Sequence, residues 1–316
     1  EAKLNRMRGL LVDLGFHETL HYSFSSREAE ALVLGAEASS GLVEMQGIQG
    51  KEFNVMKSSL APGLLRTLSM NLARGRKNLS LFEVRTAFEK NAEAKADSKL
   101  ETGVVEAPKL ALAFTGHDLE EDWEGTKREA SFYALKGIVE AILASLGRKG
   151  FKYQAKDLPS MFHPGQSAGL FLGNRALGFL GRVHPRVEKN LELNQAVFLA
   201  ELDLNSLLQG AKSADRFRPF SRQPQVERDF SAMVSDSVPA DKLKSLALEA
   251  AKPFAKELRF FDVYRGERVP SGHVSYAFRV VLQAEDHTLT EAEISSAQAA
   301  IMAALTSQAG AKFAGL

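Results

Sequence analysis

Apolar residues at helical spacing mark the first element of the chain. Leu4, Met7, Leu11 and Leu14 recur every three or four residues, and Gly15 follows them. This period predicts a helix that ends at Gly15. Its apolar side could pack into the core or against another subunit. The pattern favours the core and leaves both open.

A second helix and a strand are predicted around Pro62. Pro62 suits the first turn of a helix, and Gly75 suits its end. The apolar face of this helix consists of leucines, namely Leu64, Leu65, Leu68 and Leu72. The strand at 79–88 then alternates so that Glu83 and Arg85 are expected side by side on a sheet surface.

The pattern up to residue 209 predicts an α+β domain. The further elements are an exposed loop at 91–103, a strand at 110–114, a helix at 131–146, a strand pair turning at Gly173 and Asn174, and a strand at 197–202. Strands and helices thus mix within one sheet-based domain, predicted to span residues 1–209. Residues 210–217 are predicted to be a linker.

The last part of the chain, residues 218–316, predicts a separate domain. Its elements are a strand at 228–235, a helix at 239–254, strands at 257–265 and 274–282, a helix at 290–306 and a short strand at Lys312 and Phe313. The second helix opens on a capping box. The order βαββαβ is typical of the ferredoxin-like fold, in which two helices cover one sheet face and the other face is free.

The free face is where a function could lie. Strict alternation from 257 to 265 places Leu258, Phe260, Asp262 and Tyr264 on one side of the strand. Ser275 on the next strand could join Asp262 and Tyr264. An aromatic ring beside a carboxylate on an open sheet can stack a nucleobase and accept its protons. The same pattern also fits a half-buried tyrosine at an edge and an aspartate that hydrogen-bonds in a turn.

Composition indicates a soluble protein. The chain has 316 residues, of which 45% are hydrophobic and 25% charged, and it contains no Cys. The absence of Cys excludes disulfides and thiolate metal sites and fits a reducing cytoplasm. No apolar run has the length of a membrane span, and the first residues do not resemble a signal peptide. We therefore expect a cytoplasmic protein without membrane contact.

The formal net charge of +1 does not indicate a nucleic-acid binder, so such a function depends on local clusters. Basic residues concentrate in two stretches, 66–85 and 216–228, which are opposed within them by Glu83 and Glu227. Both stretches also fit ordinary solvated charges.

The histidines do not predict catalysis or metal binding. His163 and His184 each precede a proline, and no carboxylate or nucleophile lies at a telling spacing, which favours a role in turns. His17 and His21 are four residues apart, but Gly15 and the strand pattern after it argue against the helix that would pair them. We expect no catalytic residue and no metal site.

Ordered motifs along nearly the whole chain resemble a known family. They are MKSSLAPGLL at 56–65, NLARG at 71–75, LFEV at 81–84, HPGQSA at 163–168, LGRVHP at 180–185, FDVYRG at 261–266, PSGH at 270–273 and TLTE at 288–291. Together they resemble the carboxy-terminal half of the bacterial phenylalanyl-tRNA synthetase β subunit. The family's amino-terminal modules have no counterpart in this sequence.

The resemblance implies a fold and a set of site residues. The fold is α+β, with a class II aminoacyl-tRNA synthetase-like antiparallel sheet domain followed by a ferredoxin-like domain that binds the tRNA anticodon. The positions that match the family's anticodon contacts are Asp262, Tyr264 and Ser275. Arg222 and Arg228 are the matching candidates for phosphate contacts.

The resemblance also implies partners and cofactors. The complete enzyme would be a phenylalanine-tRNA ligase of two α and two β subunits that uses ATP and magnesium to attach phenylalanine to its tRNA. This chain would bind no cofactor itself and would support the catalytic α subunit. It is expected to be inactive alone, because Arg85 is the only plausible α-phosphate arginine and no Gly-rich strand leading to a second arginine precedes the linker.

Departures and an alternative remain. Glu227 stands where the family usually has a basic residue, and the chain ends in Phe-Ala-Gly-Leu in place of the family's Leu-Arg-Gly, which removes one arginine. The alternative function is a regulatory amino-acid-binding module, because the βαββαβ layout also serves such modules. A Gly-rich loop after the first strand would favour it, and residues 235–239 contain no glycine.

Overall fold

The computed structural model describes residues 1–47, 52–90, 103–119, 123, 128–209 and 220–313. The chain divides into two compact units, Glu1–Asp215 and Arg216–Leu316. The predicted loop at 91–103, apart from Gly103, and the predicted linker at 210–217 lie outside the described residues.

The first unit alternates short helices with strands. Its described helices are α1 (Ala2–Asp13), α2 (Arg27–Leu34), α3 (Ala36–Ser40), α4 (Ala61–Ala73), α5 (Phe132–Ser145), α6 (Pro185–Asn190) and α7 (Leu204–Leu208). Its described strands are β1 (His17–Glu18), β2 (Phe24–Ser25), β3 (Val55–Met56), β4 (Leu79–Lys90), β5 (Val104–Thr115), β6 (His117–Leu119), β7 (Arg128–Glu129), β8 (Phe151–Gln154), β9 (Phe162–Leu172), β10 (Arg175–Val183) and β11 (Val197–Asp203). Pro62 lies in the first turn of α4, as predicted.

A mainly antiparallel sheet forms the centre of this unit. Among the described residues seven strands join in the order β1-β4-β5-β11-β10-β9-β8, and only the pairing of β1 with β4 is parallel. The turn predicted at Gly173 and Asn174 connects β9 with β10, and Gly173 has a φ of 60°. The α+β class predicted for this region is confirmed.

Helices cover both faces of the sheet. On one face α1 and α5 bury Met7, Leu11 and Val139 against a core that includes Phe82 and Phe114. On the other face α2, α4 and α6 pack against strand residues of β4, β5 and β11. Met7 and Leu11 are fully buried, so the inner side of α1 belongs to the core.

A buried carboxylate connects several elements of this unit. Glu83 on β4 is 1% exposed, so the expectation that it lies on a sheet surface beside the exposed Arg85 is wrong. Its Oε1 accepts hydrogen bonds from Lys57 Nζ at 3.2 Å and from the His21 backbone N–H at 3.1 Å. His21 Nδ1 lies 2.9 Å from Glu83 Oε2, and His21 Nε2 lies 2.8 Å from Thr67 Oγ1 on α4.

These partners keep Glu83 ionised. Burial alone would raise the pKa of Glu83, but the hydrogen bonds from His21 and the charge of Lys57 outweigh it, so the pKa is lowered from its ordinary value of 4.5. His21 is thus a structural partner of a carboxylate. Among the described residues no three His, Asp or Glu side chains come together as a set of metal ligands.

The second unit follows the predicted element order. Its described elements are β12 (Val226–Ser235), α8 (Ala240–Ala250), β13 (Ala255–Tyr264), β14 (His273–Leu282), α9 (Glu291–Ala309) and β15 (Lys312–Phe313). The described strands pair antiparallel in the order β13-β14-β12-β15. This is the ferredoxin-like arrangement, and Thr290 and Glu293 form the predicted capping box of α9.

One face of this second sheet is buried. The helices α8 and α9 contribute Leu243, Ala247, Ile301 and Leu305 to a core with Phe278. No helix within the described residues is long and apolar enough to cross a bilayer.

The buried carboxylate gives a prediction for acid stability. A carboxyl group with a lowered pKa in the folded state stabilises the protein above its unfolded pKa, and this contribution is lost as the pH falls through the folded value. Glu83→Gln should destabilise the first unit at neutral pH by roughly 3 kcal/mol, because Lys57 would stay buried without its counter-charge. It should also make stability depend less on pH below about 4.5.

Amide hydrogen exchange of β4 and β5 between pH 3 and pH 7 would measure both effects. Glu37→Gln is the matched control, because Glu37 is exposed on α3. Equal protection in Glu83→Gln and wild type would contradict the role assigned to this carboxylate.

Candidate nucleic-acid interface

The sheet of the second unit leaves its other face uncovered. Along β12 and β14 the even-numbered residues, such as Ala232 and Phe278, lie in the core. Their odd-numbered neighbours, such as Ser231 and Ser275, point to the opposite side because side chains alternate along a strand. We call this side the open face.

A β-bulge decides which residues of β13 reach the open face. Leu258 pairs with Val280 and Phe260 with Phe278, so both lie on the core side. Phe261 has no partner in the β14 register, and Asp262 pairs with Ala277. The extra residue reverses the alternation, as bulges do.

The expectation from strict alternation is therefore half wrong. Asp262 and Tyr264 do point the same way, but not with Leu258 and Phe260, which pack on the opposite side. If Phe261 were paired regularly in the ladder, the alternation would direct Asp262 and Tyr264 toward the helices.

Three of the predicted residues come together around one cleft. Asp262, Tyr264 and Ser275 line a concave region of about 700 Å³ on the open face. Tyr264 is the direct cross-strand neighbour of Ser275. The Asp262 Oδ1 atom accepts a hydrogen bond from the Val263 backbone N–H at 2.8 Å, and Asp262 makes no ion pair among the described residues. One carboxylate oxygen thus remains available to a ligand.

Gly266 positions the ring of Tyr264. A Cβ atom at residue 266 would lie 2.4 Å from the Tyr264 hydroxyl and 2.5 Å from the ring carbon that bears it. The phenol therefore rests on the glycine backbone, while Tyr264 remains 45% exposed. Its ring is available for stacking, and the alternative of a tyrosine used only for edge packing is not favoured.

The two predicted arginines lie away from this cleft. Arg228 pairs in register with the buried Val280, which puts it on the helix-covered side of β12, and its Nη1 donates to the Glu227 carbonyl at 3.0 Å. Arg222 precedes β12 at the strand end far from Ser275. The seven residue steps from Val226 to Met233 alone span about 23 Å. The structure does not bring either arginine to Asp262 and Tyr264.

The remainder of the open face carries paired charges. Arg279 binds both oxygens of Asp229, at 2.7 and 2.9 Å, and also Glu227 at 2.8 Å. Arg259 binds Glu257 through two hydrogen bonds of 2.7 and 2.6 Å. The hydrogen bond from Arg279 lowers the pKa of Asp229. This paired half has three carboxylates against two guanidinium groups, so it does not attract phosphate.

The open face can therefore bind RNA bases better than RNA backbone. An exposed aromatic ring stacks any base, and a carboxylate with a hydroxyl beside it can accept from and donate to a base edge. Sequence reasoning missed the bulge, Gly266 and the residues of β12 and β15 that line the cleft, Met233 and Lys312.

Comparison with known protein families agrees with this interpretation. Residues 221–313 match the model of the ferredoxin-fold anticodon-binding domain, which agrees with the fold of the second unit. Residues 1–204 match the model described as the phenylalanyl tRNA synthetase beta chain CLM domain. The chain belongs to the phenylalanyl-tRNA synthetase β chain family, and the resemblance inferred from its motifs is confirmed.

Curated relatives are similar along the whole chain. The phenylalanine-tRNA ligase β subunit of Syntrophotalea carbinolica is 32% identical over 98% of this chain. Those of Geobacillus kaustophilus and Methylococcus capsulatus are 32% and 33% identical over 100% and 98% of it. The chain spans only 37% to 38% of the length of these relatives. Among solved structures, a pyrrolysyl-tRNA synthetase of Desulfitobacterium hafniense shares 17% identity over 66% of each chain with a TM-score of 0.49, which is too low for an inference.

The bulge gives a prediction for folding. Deletion of Phe261 would join Phe260 directly to Asp262, so that strict alternation keeps Phe260 in the core opposite Phe278 and Asp262 on the open face opposite Ala277. We expect the second unit to keep its strand register and most of its stability in chemical denaturation, because no side chain of β13 changes face. Phe261→Ala is the control, because it keeps the extra residue, and it should stay within about 1 kcal/mol of wild type, since Phe261 is 58% exposed. Loss of the fold in the deletion variant, with Phe261→Ala stable, would show that the second unit needs the bulge itself.

Proposed function

We propose that this chain is the part of a phenylalanine-tRNA ligase β subunit that supports the α subunit and binds the anticodon loop of phenylalanine tRNA. The observation that carries the proposal is the convergence of Asp262, Tyr264 and Ser275 on an uncovered sheet face of an anticodon-binding fold. Tyr264 stacks a base, and Asp262 and Ser275 hydrogen-bond its edge. Arg222 and Arg228 lie outside this arrangement, so a phosphate contact by either involves RNA beyond the stacked base.

Catalysis is assigned to the α subunit. Arg85 is exposed on β4 and stands opposite Lys109 in the sheet. The Lys109 ammonium is held by Glu89 at 3.1 Å and Glu201 at 3.2 Å, so this cation is neutralised by two carboxylates. ATP and magnesium would serve the complete enzyme in its α subunit, as the family resemblance implies. Two further points stay predictions: that the complete enzyme has two α and two β subunits, and that it is located in the cytoplasm.

Exposed apolar side chains support a subunit contact. Val12 and Leu14, at the end of α1, are 57% and 44% exposed, and Leu20 and Tyr22 after β1 are 73% and 75% exposed. Several large apolar side chains exposed within one short stretch of chain fit an interaction surface. We assign this stretch to the α subunit. The inner side of α1 packs in the core, and its outer end contributes to the interface.

The base-stacking role of Tyr264 gives the first functional prediction. Tyr264→Ala should weaken binding of the cognate anticodon stem-loop to the full chain by about 1 to 3 kcal/mol, the usual contribution of one stacked base. Tyr264→Phe should bind nearly as well as wild type, since the ring remains. Fluorescence anisotropy with labelled stem-loop would measure both, with Tyr133→Ala, another exposed tyrosine, as control. Equal affinity of Tyr264→Ala and wild type would remove this residue from the site.

The subunit contact gives a second prediction. Leu20→Glu should lower the affinity for the α subunit at least tenfold, because it would bury a charge in an apolar interface. Stem-loop binding should stay unchanged. Light scattering of the mixed subunits would give the mass of the complex. Leu32→Glu, at a leucine that is 43% exposed on α2, is the matched control. A complex of normal mass and affinity with Leu20→Glu would place the interface elsewhere.

A further inference from the structure

A row of four side chains crosses the open face from one sheet edge to the other. Tyr264 on β13 pairs with Ser275 on β14, Ser275 pairs with Met233 on β12, and Met233 pairs with Lys312 on β15. Residues that are direct cross-strand partners point to the same side of a sheet. All four line the same cleft. We call this set the cross-strand row.

The cross-strand row is longer than one base. Its three inter-strand steps of about 4.8 Å each add up to about 14 Å. A stacked nucleic-acid strand advances about 3.4 Å per nucleotide, so a base on Tyr264 leaves room on the row for its neighbour. The row therefore suits a short single-stranded segment such as a loop.

The two residues farther from Tyr264 have the chemistry of a second nucleotide subsite. Met233 is half-buried and offers a polarizable apolar surface to an aromatic base. Lys312 is exposed and makes no ion pair among the residues that the structure describes. Its ammonium group is free to bind a phosphate.

The paired charges on the rest of the open face disfavour an RNA path along the strands. Along the strands toward Asp229 and Glu227, each cation is already paired with carboxylates, and the acidic groups outnumber the basic ones. A phosphate chain that ran along the strands would meet net negative charge. A chain that runs across the strands reaches Lys312, which makes no ion pair within the part of the chain that the structure describes.

We propose that Met233 and Lys312 form a second nucleotide subsite. Met233 carries the base next to the one stacked on Tyr264, and Lys312 binds the backbone phosphate beyond it. This inference rests on the proposed anticodon-binding function and adds a subsite and a direction to it. The ligand is single-stranded RNA, of which the anticodon loop is the source.

The test compares Lys312→Ala with wild type in the full chain. One phosphate contact to a single strand contributes about 0.7 to the slope of log affinity against log salt concentration, or about fivefold at 0.1 M salt. Lys312→Ala should therefore bind the anticodon stem-loop about fivefold more weakly at 0.1 M salt and reduce the slope by about 0.7. Met233→Ala should weaken binding and leave the slope unchanged. Lys242→Ala, at an exposed lysine on α8, should change neither.

A second measurement uses the wild-type protein, so that misfolding of a variant cannot explain the result. Uncharged methylphosphonate linkages are placed one at a time along the stem-loop. One position should weaken wild type as much as Lys312→Ala does, and Lys312→Ala should lose nothing more there. Equal salt slopes for Lys312→Ala and wild type, or losses that add at every position, would overturn the subsite while Tyr264→Ala still reports the primary site. Failure of the wild-type chain to bind the stem-loop would overturn the proposed function as well.

Discussion

The β-bulge at Phe261 in β13 determines which side chains the second unit presents to solvent. A sheet that is covered on one side has only its other side for binding, and the two-residue period of a strand assigns every side chain to one of them. The first half of β13 must bury Leu258 and Phe260 under the helices. Phe261 shifts the phase, so that Asp262 and Tyr264 reach water while the strand remains paired with β14. One strand can therefore supply apolar side chains to the core and polar side chains to the candidate site, because the alternation reverses between Phe260 and Asp262.

The first unit solves a different problem, because its sheet is covered on both faces. A polar group at its centre is stable only with complete partners. Glu83 accepts hydrogen bonds from three donors: the backbone N–H and the ring Nδ1 of His21, which precedes β2, and Nζ of Lys57, which directly follows β3. The other ring nitrogen of His21 lies against Thr67 on α4. Polar groups that a catalytic sheet would aim at a substrate are used here to hold elements together. This agrees with the supporting role that we propose for this unit.

Much of the architecture could be predicted from local patterns. The helix around Pro62, the capping box at Thr290 and the βαββαβ order follow from spacing and from residues with fixed conformational preferences. The bulge was missed because strict alternation was assumed across 257–265. Its signal is present in the sequence: polar residues occupy 257 and 259 and then 262, with two phenylalanines in succession between them. The burial of Glu83 and the cross-strand row could not be predicted, because both depend on contacts between residues far apart in the chain.

The glycine beneath Tyr264 has a consequence for genetics. Gly266 need not touch RNA, yet any side chain there would collide with the phenol that it supports. If Tyr264 stacks a base as we propose, a substitution at Gly266 would weaken RNA binding although the glycine itself makes no RNA contact. A glycine would be retained at position 266 because the Tyr264 ring leaves no space for a side chain there. Replacement of both residues together, with a smaller aromatic ring at 264, is the route by which evolution could change 266.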